Sequence, residues 1–195
     1  EPLLPQLQLS GLAEHTRTVV EKAYRLQHAV APSARKALQE LVRGMNSYYS
    51  NRIEGQGTHP GNIERALRAD FSATPTVAQR QRIALAHIEA EKHLEATLPE
   101  TGVEGFALHS SFLTSAHAAL YSRLQAADRT TDDGRVIEPG ALRQEDVMVG
   151  RHQPPTAASV PAFLAKMDEV YLRVRGLDGV LFYIAAAHHR AAWVH

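Results

Sequence analysis

The chain has no cysteine among its 195 residues. This excludes disulfides, thiolate zinc sites and cysteine nucleophiles, and agrees with a reducing compartment. An excess of charge of either sign is missing too, since 21 Lys and Arg stand against 21 Asp and Glu. With a formal net charge of zero, no global field draws the chain to nucleic acid or to an anionic membrane, so no nucleic-acid partner is expected. No apolar run approaches the roughly 20 residues that span a bilayer, so no membrane partner is expected and a cytoplasmic protein is the reading. Internal repeats and low-complexity runs are absent, which sets aside solenoids and linker-like chains.

What is there is helix period. Leu12, Val19, Val20, Ala23, Leu26 and Val30 recur at spacings of three and four, and Pro32-Ser33 ends that helix and opens the next. The second helix carries Leu38, Leu41, Val42, Met45, Tyr49 and Ile53 on one stripe before Gly55, Gly57 and Pro60 break it. A short helix around Ile63-Ala66-Leu67 follows. A long one from Val77 to Leu98 has Ala84, Ile88, Glu91 and Leu94 in phase, and another carries Leu108, Phe112, Ala116, Leu120 and Leu124. From Asp128 to Pro155 the chain turns rich in Asp, Gly, Pro and Thr, with one short alternating piece, Val147-Met148-Val149. That region reads as a long loop with a small β-hairpin, and loops of that length in compact domains are usually functional. Val160, Phe163, Leu164, Met167, Val170 and Val174 resume helix phase, and a last helix from about Asp178 carries Val180, Ile184, Ala187, Ala191 and Val194. The expected fold class is all-α with that one interruption.

Three segments carry chemistry. In Ser50-Asn51-Arg52-Ile53-Glu54-Gly55, Ser50 and Glu54 are four apart and share a helix face, where the hydroxyl can hydrogen-bond the carboxylate. Gly55 stands where a left-handed residue would close the helix. On its own residues, Glu54 is as well read as a solvated group at a helix end. In Gly140-Ala141-Leu142-Arg143-Gln144-Glu145-Asp146-Val147-Met148-Val149-Gly150-Arg151-His152-Gln153-Pro154-Pro155, apolar, Gly and Pro positions fall in one register. The plain alternative there is a surface loop closed by a polyproline turn. The third segment, Ala185 to His195, holds three histidines. His188 and His189 are adjacent and so point apart on a helix, with no acidic residue at i+3 or i+4, which argues against a metal pair. His188 reads as a core histidine.

Together these segments resemble the Fic family in the form that carries its own inhibitor N-terminal to the catalytic core. Ser50-Asn51-Arg52-Ile53-Glu54-Gly55 matches the inhibitory motif [S/T]-x-x-x-E-[G/N], the second segment matches the flap G-x-x-R-x-x-x-V-x-V-G-x-H-x-P-P, and His195 matches the first histidine of H-P-F-x-D-G-N-G-R. The rest of that signature is not in the sequence, which reads as cut at His195. The resemblance implies an N-terminal helical region, 1–100, with the inhibitory helix at about 34–55. The front part of a Fic core, 101–195, would follow, with the β-hairpin flap at about 135–155. It implies a protein adenylyltransferase that moves AMP from ATP, with Mg²⁺, onto a Ser, Thr or Tyr hydroxyl of a target protein, itself included. His195 would be the general base, and Glu54, with Ser50 and Gly55, would hold the γ-phosphate place by pairing with a late arginine of the signature. Val149, Gly150, Arg151 and His152 would line the nucleotide, and the flap edge would pair with an extended target segment. Arg143 supports the flap or helix packing rather than catalysis. No metal ligand is expected within these residues, so the fragment alone is expected to be inactive, and a homodimer is compatible with the reading. The alternatives are removal of AMP or transfer of another phosphate group on the same fold, and a non-catalytic helical interaction module.

Overall fold

The computed structural model of the protein describes residues 9–97, 106–131, 133–148 and 150–172. They are mostly helical, as expected of an all-α chain, and hold six α-helices: α1 (Leu9–Ala29), α2 (Pro32–Ile53), α3 (Pro60–Leu67), α4 (Pro75–Thr97), α5 (Ser110–Tyr121) and α6 (Val160–Leu172). The last helix expected from Asp178 lies outside the described residues. No strand is assigned among the described residues of the loop, and Val147 and Met148 are irregular. β-bridge residues do occur in the loop, at Thr130 and Val136, which pair antiparallel, and at His152. The chain forms two units: one from Glu1–Ala29, Pro99–Thr114 and Leu142–His195, the other from Val30–Leu98 and Ser115–Ala141.

The second unit is built on α4. Its Ala, Gln, Arg, Leu, Glu and Lys content suits a helix interior, and Pro75 stands at its start, where a missing N–H costs nothing. Alanines make its surface low, so α2 and α3 approach it closely. Ile63 of α3 packs with Ala84 and Ile88 of α4 and with Tyr48 of α2. On another side Ile83 and Ala86 pack with Leu124, Leu120 and Tyr121. Each isoleucine so buried contributes about 1.5–3 kcal/mol. Gln81, fully buried, ties three chain segments together: its amide donates to the carbonyls of Asn62 (3.0 Å) and Asp70 (3.2 Å), and its oxygen accepts from the Ser72 amide (2.7 Å).

The apolar stripe of α2 has an unexpected fate. Leu38, Leu41, Val42, Met45, Tyr49 and Ile53 are 46–78% exposed, and the one buried residue of this helix is Ser47. α2 meets α4 through its polar face instead. Ser47 Oγ donates to the Ala84 carbonyl at 2.9 Å and Asn46 Nδ2 reaches Glu91 at 3.4 Å, while within α2 Asn51 Nδ2 donates to the Ser47 carbonyl at 2.8 Å. Arg43 fans across Glu40, Glu91 and Glu95, and Lys92 returns to Glu40 at 3.0 Å. A small hydroxyl lets the backbones close up, and the acidic face of α4 selects Arg43 and Asn46 over the leucines.

The other unit is described in part. Leu108, Met167 and Tyr171 are buried in it. Asp168 of α6 serves as a distant cap for α5, accepting from the Ser110 amide (2.7 Å) and the Ser110 hydroxyl (2.6 Å). The bond from the amide satisfies one of the donors that the first turn of a helix leaves unpaired.

Candidate functional site

The C-terminus of α2 is closed by a specific hydrogen-bond pattern. Glu54 is the C-cap, with φ −80° and ψ 9°, and its amide bonds the Ser50 carbonyl at 3.3 Å. Gly55 follows at φ +72°. Its amide bonds the Arg52 carbonyl (3.2 Å), and the Gln56 amide bonds the Asn51 carbonyl (2.8 Å). This is a Schellman closure, which satisfies carbonyls the helix end would leave orphaned and needs a left-handed residue at the position of Gly55. The sequence placed the glycine correctly.

Glu54 is thereby held at a fixed exit from the helix, with its side chain exposed. Among the described residues its carboxylate makes no hydrogen bond and no ion pair. The expected bond from the Ser50 hydroxyl to the Glu54 carboxylate is not formed, because both groups are exposed and water serves them as well. Arg52 in the same turn is engaged elsewhere, donating to the Tyr48 hydroxyl at 3.0 Å and lying 5.9 Å from its ring centre. A carboxylate at a helix C-terminus faces the negative end of the helix dipole, a cost of about 0.3–1 kcal/mol that the Arg52 guanidinium in the last turn partly offsets.

The segment from Gly140 to Pro155 is organised by two side chains. Arg143 donates to the carbonyl of Glu145 at 2.9 Å and to that of Pro155, so one guanidinium joins the two ends of the loop. Asp146 accepts from the Ala157 amide at 2.6 Å and fixes the turn that leads into α6. Arg143 therefore acts as a loop staple, in keeping with the supporting role expected of it. Gly150 adopts φ +60° with open space where a side chain would stand. Arg151 and His152 are exposed, and His152 is a β-bridge residue.

Ser50, Glu54 and Gly55 belong to one unit, and Gly150, Arg151 and His152 to the other. Each group stands as described, and Val149 and His195 lie outside the described residues. Among the described residues no group of three or more His, Asp or Glu could hold a metal ion. A hollow of about 440 Å³ opens between α4 and the turn after α5, lined by Arg82, Leu85, Ala86, Glu89, Arg123 and Asp128. None of the residues singled out from the sequence lines it. Its wall is a structural ion pair: Arg82 grips Asp128 with two bonds of 2.5 and 2.8 Å, and the carboxylate is 2% exposed.

Two histidines of the same unit escaped the sequence reading. Burial pushes His87 below its ordinary pKa, against an opposing pull from Glu91, and its buried Nδ1 has no hydrogen-bond partner among the described residues. His117, also lowered by burial, accepts the Gly140 amide on Nδ1 at 2.9 Å. Nothing in the spacing of a histidine and a glycine 23 residues apart signals this contact. Among the described residues no helix is long and apolar enough to cross a membrane. No protein-family model, no curated protein and no solved structure matches the chain.

Proposed function

We propose that this chain is the regulatory and leading part of a Fic-type protein adenylyltransferase, self-inhibited through Glu54. The observation that carries the reading is the end of α2. An acidic residue without a partner among the described residues stands at the unfavourable pole of a helix, and a left-handed Gly55 fixes its position. Local stability argues against a carboxylate there, and departures of that kind gather at functional positions. In this reading Glu54 competes with a phosphate for one guanidinium, since both present paired oxygens to the same planar fork.

ATP would supply the AMP group and Mg²⁺ the neutralisation of its phosphates. The open, left-handed Gly150 fits close backbone approach to a nucleotide, with Val149, Arg151 and His152 beside it in sequence. In this reading the Mg²⁺ ligand belongs to the signature that His195 opens. His195 would take the proton from a Ser, Thr or Tyr hydroxyl of the target protein, a task suited to a neutral imidazole near pH 7. The flap hairpin expected at about 135–155 would hold the target segment by strand addition. Removal of AMP and transfer of a different phosphate group use the same parts, and the mass added to or lost from the target separates them.

The test starts with the codons after His195 in the parent gene and continues with labelling of the full chain by α-labelled ATP. Glu54→Gly is expected to raise automodification tenfold or more, because a charge-assisted pair is worth about 1.5–3 kcal/mol. His195→Ala is expected to abolish it. Labelling that stays flat in Glu54→Gly with His195 intact defeats the inhibition reading. A continuation without the acidic residue and glycines of the signature defeats the transferase reading as a whole. The exposed apolar residues of α2 favour one alternative, a non-catalytic module that pairs with a second copy of itself. A sedimentation constant that does not change with concentration removes it.

A further inference from the structure

We propose that His117 is a proton-controlled latch on the turn that opens the Gly140–Pro155 segment. The turn runs Glu138-Pro139-Gly140-Ala141 and is closed by the Ala141 amide on the Glu138 carbonyl at 3.2 Å. Proline stands at its second position and Gly140, at φ +79°, at its third, the arrangement of a type II turn, in which only glycine or asparagine is comfortable at the third position. The amide of that third residue takes no part in closing the turn. Here it donates to His117 Nδ1 at 2.9 Å. Both residues belong to the same unit.

That bond exists in one protonation state. A neutral imidazole with its proton on Nε2 offers Nδ1 as an acceptor, whereas the imidazolium has a hydrogen on both nitrogens and none to spare. Protonation therefore sets two donors against each other across 2.9 Å and frees the turn. Burial favours the neutral ring and lowers its pKa, with no charged neighbour contributing. The neighbouring groups are consistent with that. Tyr121 stacks on the ring at 4.4 Å between centroids, and Glu138 is the acidic residue of the turn, exposed. Elsewhere in the same unit, Arg82 of α4 is engaged by Asp128 and Glu89 by Lys92, and burial lowers the pKa of His87. Arg123 and Arg129 donate to the carbonyls of Ala119 and Ile137. The latch is closed at neutral pH and opens as pH falls below the ordinary histidine value of about 6.5.

The latch stands on this geometry alone, while its consequence, acid release of the flap, rests on the transferase reading. The experiment follows the His117 ring nitrogens and the exchange protection of the Gly140 amide by NMR between about pH 5 and pH 8, on the full chain. Protection, corrected for intrinsic exchange, is expected to fall roughly fivefold to tenfold on acidification, the worth of one hydrogen bond, with the midpoint of the His117 titration. His117→Asn keeps an acceptor oxygen near the place of Nδ1 but cannot titrate, so its protection is expected to stay high throughout. His117→Phe keeps the stack on Tyr121 without the acceptor and should exchange fast at every pH. Should the Phe variant not fold, the wild-type titration and the Asn variant decide the matter. Gly140 protection that ignores the His117 titration, or falls equally in His117→Asn, overturns the latch. AMP labelling of the same proteins is scored separately, so a working latch on a chain that transfers nothing is recognised as such.

Discussion

Two glycines of α2 make a matched test of how this helix is built. Gly44 lies in its interior and Gly55 just past its end, and a Cβ added at either would meet nothing within 4 Å. Gly→Ala at these sites therefore probes backbone conformation without packing. At Gly44 the helical backbone suits alanine, and the gain is about 0.5–1 kcal/mol. At Gly55 the backbone sits at φ +72°, where an L-residue pays about 1–2 kcal/mol. Part of that is returned because alanine also restricts the unfolded chain, by about 0.4–1 kcal/mol. The expected net effect is a loss of about 1 kcal/mol at Gly55 and a gain of somewhat under 1 kcal/mol at Gly44, so the same substitution changes sign within one helix. Gly55→Asn should fall between Gly55→Ala and the parent, since asparagine tolerates the left-handed region better. Urea unfolding followed by circular dichroism resolves differences of this size if the slope with denaturant is unchanged. Gly55→Ala as stable as Gly44→Ala would refute the left-handed closure, and with it the fixed placement of Glu54.

Arg82→Leu leaves the Asp128 carboxylate, 2% exposed, without its partner, and should cost about 3–5 kcal/mol, whereas replacing both residues by apolar ones should cost far less. A double-mutant cycle in urea checks this, and additive losses would show that the pair is not coupled. His87 and His117 both have folded pKa values below the ordinary one, so between the two values the unfolded chain binds more protons than the folded one. Their contribution to stability is therefore complete above about pH 6.5 and is lost as pH falls through the folded values. Unfolding free energies measured against pH should rise toward neutrality, and His87→Leu should flatten part of that slope. A slope unchanged in His87→Leu would mean that the buried ring does not titrate with folding.

The helices were legible because their signals are local. Pro32, Pro60 and Pro75 stand at helix starts, and the spacing of three and four that marks α2, α4 and α6 depends only on the pitch of the helix. Gly55 was legible for the same reason, as its role requires nothing beyond its own φ angle and the four residues before it. Which face of a helix is buried was a different matter. The stripe Leu38–Ile53 looks like the inward face of α2, yet Ser47, Asn46 and Arg43 meet α4. A stripe says that apolar residues share a face, not what lies opposite. Here the acidic residues on α4 and the short Ser47 side chain decided the contact.

The candidate site divides along the same line. The sequence by itself determined the order of the motifs, the helix that ends in Glu54 and the glycines on which its closure depends, because these follow from residue type and near neighbours. Tertiary structure alone decided that Gln81 would serve three chain segments, that Arg82 would hold Asp128, that Arg143 would bridge to Pro155, and that His117 would accept from Gly140. Each of these pairs partners far apart in sequence, which only the folded chain brings within hydrogen-bonding distance.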